Sequence, residues 1–103
     1  MLILPIKKKW FDMILSGEKK EEYREISDYY ESRFANLYYN SLEFNENALR
    51  PKFNVIFRNG YSKNSPSIKC EVEISIGYGK PEWGAEPKKQ YFILQILSVE
   101  RIA

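Results

Sequence analysis

The chain contains no histidine and no threonine, and its single cysteine is Cys70. Without histidine there is no imidazole general base, no histidine-based triad and no Cys/His zinc site. One thiol excludes an internal disulfide framework and a cysteine-cluster metal site. Any chemistry must rest on lysine, carboxylate, tyrosine or serine side chains, and no cofactor or metal is implied. Long apolar runs are scarce too. The apolar stretch Met1 to Ile6 is followed by lysines rather than preceded by them, the wrong order for a signal peptide, and it is too short to span a bilayer. The expectation is a cytoplasmic protein with no membrane partner, in keeping with a lone reduced thiol.

Aromatic residues, by contrast, make up 16% of the 103 residues. A chain of this length forms one domain, residues 1–103, and should bury roughly 65% of its unfolded surface. The rings therefore either fill the core or are in part presented at the surface. The net charge of +2 is small, but its distribution is uneven. Residues 1–20 hold five lysines against two acids, residues 21–50 three arginines against seven acids, and residues 51–103 eight bases against five acids. Two basic ends around an acidic middle give a polarised surface if the ends meet in space, and a solvated mixed surface if they do not.

Periodicity places the elements. Leu2 to Ile6 reads as a short buried strand. Trp10, Phe11, Ile14 and Leu15 form one helical stripe, ended by Gly17 at the position where φ is usually positive. Lys7 to Lys9 in its first turn oppose the helix dipole, a local conflict of the kind that can mark a site. Glu22 and Arg24 project from one face of an extended segment, with Tyr23 on the other. Ser27 is an N-cap before a second helix with Tyr30, Phe34, Leu37 and Tyr38 on one face. Asn40 to Pro51 reads as a polar loop. Phe53 to Phe57 alternates as a strand and stops at Asn59-Gly60. Ile68 to Ile76 alternates cleanly, with Ile68, Cys70, Val72, Ile74 and Ile76 inward, so Cys70 is read as an inert small hydrophobe. Gly77 to Gln90 is a long loop around Trp83, and Tyr91 to Val99 is a nearly continuous apolar strand. The pattern predicts an α+β fold, a small β-barrel with flanking helices.

Gly17, Lys19, Glu22 and Arg24 spell G-x-K-x-x-E-x-R between the first helix and the following strand. This resembles the signature of the ASCH domain, a branch of the PUA-like β-barrel superfamily, and the order of elements resembles that family over essentially the whole chain. The resemblance implies a PUA-like barrel with a basic cleft beside the motif that binds RNA or a modified nucleoside. One single-domain branch removes the acetyl group from N4-acetylcytidine, with the motif lysine catalytic beside a threonine and a distant glutamate; another branch is linked to ribonuclease activity. Lys19 matches that lysine. Glu22 stands where the amidohydrolase branch has threonine, so the matching hydroxyl is absent and low or no activity on N4-acetylcytidine is expected.

The residues also allow a reading of their own. Lys19 either binds a ligand, acts as base or nucleophile, or is an ordinary solvated charge; the acid Glu22 close by should raise its proton affinity. Glu22 and Arg24 form an ion pair, or Arg24 clamps a phosphate while Glu22 accepts from an exocyclic amine. Trp83 stacks on a base or plugs the barrel end. Arg58 and Tyr61 flank a turn that could line the same opening, and Trp10 is read as core. For catalysis the candidate carboxylates beside Lys19 are Glu22 and, as the distant one in the long loop, Glu86. If Lys19 and Arg24 contact RNA directly, their alanine variants lose affinity without losing stability. The leading expectation is thus an RNA- or nucleotide-binding domain with Gly17, Lys19, Glu22, Arg24, Arg58, Tyr61 and Trp83 at the ligand. The alternatives are a small amidohydrolase or ribonuclease using Lys19 with Glu86, and a protein-interaction module built on Tyr29, Tyr30, Tyr38 and Tyr39.

Overall fold

The computed structural model describes residues 1–44 and 52–103, with side chains described up to residue 37 and from residue 52 onward. Strand β1 (Leu2–Pro5) leads into helix α1 (Lys8–Leu15), β2 (Glu21–Glu25) and helix α2 (Asp28–Phe44). Strands β3 (Lys52–Arg58), β4 (Ser67–Tyr78) and β5 (Gln90–Arg101) follow, with a 3₁₀ turn at Pro81–Trp83 between the last two. The strands make one curled mixed sheet in the order β1-β3-β4-β5-β2, a half-barrel carrying two helices. β1 runs parallel to β3, pairing Leu2 with Val55 and Leu4 with Phe57; the other neighbours are antiparallel.

The expected closed barrel is not formed. β1 and β2 are the two edges of the sheet, and among the described residues no ladder joins them. The free edges are bridged instead by a side chain: Arg24 of β2 donates from Nη2 to the Pro5 carbonyl of β1 at 2.7 Å. A seam therefore runs between β1 and β2.

Alternation decides what lies under the curl. Leu4, Phe53, Val55, Phe57, Ile68, Cys70, Val72, Phe92 and Leu94 are buried on the concave face, covered by Phe11 and Ile14 of α1 and Phe34 of α2. Phe34 meets Phe92 edge to face at 5.1 Å, the arrangement favoured by the ring quadrupoles. The inward row of β4 holds as far as Val72, with Ile74 half-buried; Ile76, expected inward, is 59% exposed. A bulge opposite Glu71/Val72 leaves Leu97 of β5 unpaired and adds to the bend of the sheet.

Local signals account for the helix ends. Gly17 has φ of +86°, and its N–H donates to the Ile14 carbonyl, closing α1 as its position implied. The Ser27 hydroxyl accepts from the Tyr30 N–H at 3.3 Å and caps α2. α2 continues through Asn40 to Phe44, where a loop is expected from polarity. No glycine or proline interrupts Asp28 to Phe44, and one asparagine costs only tenths of a kcal/mol in a helix. The rest of that expected loop lies outside the described residues. Among the described residues no helix is long and apolar enough to cross a membrane.

Cys70 is fully buried, and desolvation raises its thiol pKa from 9.0 to about 12. The unfolded thiol gives up its proton near pH 9 while the folded one keeps it, so this group's contribution to stability is intact below pH 9 and is lost above it. The slope is about 1.4 kcal/mol per pH unit. Urea melts at pH 8 and pH 10 should show a steeper alkaline loss for the natural chain than for Cys70→Ala. Parallel losses would show that the thiol does not titrate on unfolding.

Candidate ligand-binding site at the open seam

The seam is a hollow of about 410 Å³. Pro5, Ile6 and Lys7 form one wall; Glu22 to Glu25 of β2 form the other, with Trp10, Tyr30, Trp83, Gly84 and Tyr91 completing it. β2 pairs only with β5, so its free backbone edge faces the gap. Five of the lining residues are aromatic and four, Lys7, Glu22, Arg24 and Glu25, are charged, a composition suited to a flat, polar-edged ligand.

Under the wall lies a buried charge cluster. Glu22 holds Lys19 Nζ through Oε1 at 3.2 Å and Arg24 Nη2 through Oε2 at 2.7 Å. Arg24 also donates from Nη1 to the Tyr30 hydroxyl at 3.1 Å, while its Nε is buried without a hydrogen-bond partner among the described residues. Extended geometry explains the pairing of Glu22 with Arg24: residues i and i+2 share a face of β2, here the concave one. The structural ion pair is thus formed, and both members line the hollow.

Lys19 is placed behind the hollow rather than in it. Its side chain has 0% exposure, and Nζ donates to the Trp83 carbonyl. The ammonium also stands 4.5 Å above the Trp10 ring and 5.0 Å above that of Tyr23. It is therefore neither a solvated charge nor a free ligand contact. Its proton affinity is lowered, first by desolvation and further by Arg24; attraction to Glu22 works the other way without prevailing. Glu22 thus acts in the expected direction, and desolvation outweighs it. Burial corrects the expectation that Lys19→Ala and Arg24→Ala leave stability untouched, because each removal opens a buried network.

Lys19 sets the position of the long loop. By binding the Trp83 carbonyl it pins the 3₁₀ turn across the top of the seam, and Gly84, with φ of +103°, continues the chain over Trp10. A Cβ on Gly84 would lie 3.0 Å from Trp10 Cζ2, and one on Gly79 would lie 2.6 Å from Tyr23 Cζ. The Tyr23 hydroxyl accepts from the Lys80 N–H at 2.9 Å and donates to Glu21 at 2.7 Å; its pKa is raised, chiefly by burial. The Trp83 ring is left half-exposed at the rim, with Lys80 Nζ 4.5 Å from it.

Other expected site residues fall elsewhere. Gly17 serves the turn after α1 and does not reach the seam. Glu86 is 73% exposed with its carboxylate 4.0 Å from Lys89, so the carboxylate on Lys19 is Glu22. Arg58 and Tyr61 line a neighbouring hollow with Asn59, and Arg58 Nε donates to Ser67 at 3.0 Å. Of the tyrosine set on α2, Tyr29 is exposed, Tyr30 serves the Arg24 network, and the side chains of Tyr38 and Tyr39 lie outside the described residues. Trp10 packs against the core as expected and also lines the seam, as do Lys7, from the basic first turn of α1, and Tyr91, for which the sequence offers no site signal.

No protein-family model matches the chain, and no curated protein or solved structure matches it.

Proposed function

We propose that the chain binds RNA or a nucleotide-like ligand at the seam between β1 and β2, in the manner the ASCH, PUA-like resemblance implies. The observation that supports this most is the 410 Å³ hollow walled by Trp10, Tyr23, Tyr30, Trp83 and Tyr91 around the Glu22–Arg24 pair. Rings supply stacking faces, while the carboxylate, an acceptor only, favours a base that offers an amine or imine N–H. Lys7, exposed on the opposite wall, is available to a phosphate. Lys19 contributes indirectly by holding the Trp83 turn in place.

Both tryptophans of the chain line the hollow, so intrinsic fluorescence reports its occupancy. Titration with short single-stranded RNA should quench it, with an affinity that falls steeply with added salt. Trp83→Ala should weaken binding by ~1–3 kcal/mol, the usual worth of one stacked base, at nearly unchanged melting temperature. Absence of any saturable response, or full affinity in Trp83→Ala, would count against this reading.

One observation favours a second reading, an amidohydrolase on an acylated nucleoside such as N4-acetylcytidine. Burial lowers the proton affinity of Lys19 and sets it against a carboxylate, the pairing a lysine base requires. To act, Nζ would have to leave the Trp83 carbonyl and enter the hollow. We expect no turnover of N4-acetylcytidine; turnover abolished by Lys19→Ala would establish the enzyme instead.

A further inference from the structure

The hollow at the seam has a neighbour of similar size. The second, of about 390 Å³, is lined by Arg58, Asn59, Gly60 and Tyr61 together with Pro5, Ile6 and Lys7. Those last three residues also line the first hollow, so one short ridge separates the two. We propose that the ligand is an oligonucleotide of at least two units, one base at the seam and the next in the Arg58–Tyr61 hollow, with the linking phosphate at Lys7. This rests on the nucleotide-binding reading above and specifies its ligand.

The ridge is fixed from both sides. Arg24 donates to the Pro5 carbonyl from the seam side at 2.7 Å, and Asn59 Nδ2 donates to the Ile6 carbonyl from the other at 2.9 Å. The Ile6 N–H in turn donates to the Arg58 carbonyl at 3.0 Å. Extended chain advances about 3.3 Å per residue, so Pro5 to Lys7 spans about 7 Å, the scale of one step along an unstacked strand. Lys7 is itself extended, with φ of −71° and ψ of 149°, and exposed. It belongs to both walls at once, so a link between two bound units passes beside it, within reach of its flexible side chain.

The second hollow has its own means of holding a base. The Tyr61 side chain is 97% exposed, a ring that contributes almost nothing to the core and is free to stack. Arg58, held by its Nε bond to Ser67, lines the same hollow. A free nucleoside would leave this ring and this cation unused.

The test compares cytidine 5′-monophosphate with the dinucleoside monophosphate CpC by fluorescence titration of the natural chain. CpC carries fewer charges than the mononucleotide, so a gain cannot come from charge alone. We expect CpC to bind at least tenfold more tightly, and Tyr61→Ala to bring that ratio to within about threefold of unity; Tyr78→Ala, exposed outside both hollows, should leave it unchanged. Binding of the mononucleotide with no gain for CpC overturns this proposal and leaves the nucleotide-binding reading standing. A tenfold gain that survives Tyr61→Ala also overturns it, and binding of neither probe overturns both.

Discussion

Replacing Glu22 by glutamine is expected to cost the fold ~3–5 kcal/mol at pH 7. In a domain of this size that is a fall of roughly 15–25 °C in melting temperature. The carboxylate stands between two buried cations, Lys19 at 3.2 Å and Arg24 at 2.7 Å. Its amide would leave two positive charges without the carboxylate that lies between them. Arginine cannot give up its proton, so the adjustment falls on Lys19. With folded Lys19 already shifted down and now shifted further, the unfolded chain binds the extra proton over the window below 10.5. Stability of Glu22→Gln should therefore rise with pH from neutrality towards pH 10 more than that of the natural chain. Lys19→Met in the same background should recover part of the loss, because one of the two stranded charges is gone. A Glu22→Gln protein melting within a few degrees of the natural chain would show that the cluster is solvated rather than buried.

Arg24→Ala is the second large effect, about 3 kcal/mol, the low end of what removing one partner of a buried ion pair costs, because Glu22 keeps Lys19 as its other counter-charge. Its bonds to Pro5, Tyr30 and Glu22 tie β1, α2 and β2 at one point. The loss should have a location as well as a size. Amide hydrogen exchange in Leu2–Pro5 should quicken more than in β4 or β5, because β1 is an edge strand paired only with β3. Arg24→Lys should fail to restore protection, as an ammonium cannot fork between two elements. Uniform destabilisation across all strands would mean that Arg24 does not staple the seam.

These two effects separate what is local from what is not. The sequence alone determined most of the elements: the α1 stripe with its stop at Gly17, the Ser27 cap, and the strands at Phe53–Phe57 and Ile68–Val72. Each depends on residues a few positions apart, where periodicity and backbone preference act directly. It also determined that Glu22 and Arg24 share a face, because that follows from the pleat of a strand. The polar Asn40 was a weaker guide, since one unfavourable residue does not stop a helix that lacks a breaker.

Tertiary structure alone decided the site. Lys19 and Trp83 are 64 positions apart, and only the return of the β4–β5 loop over the sheet turns a motif lysine into a buried clamp on a carbonyl. The same return lays Gly84 over Trp10, making a ring that packs against the core part of the seam wall as well. Glu86 sits three residues from Trp83, yet it points to solvent and Lys89. Strand order decided that β1 and β2 are edges with a gap between them, and nothing in either segment encodes its missing neighbour. The physical reason is common to all of these. Burial, and with it the lowered proton affinity of Lys19, is a property of what the rest of the chain places around a residue, which short-range pattern does not contain.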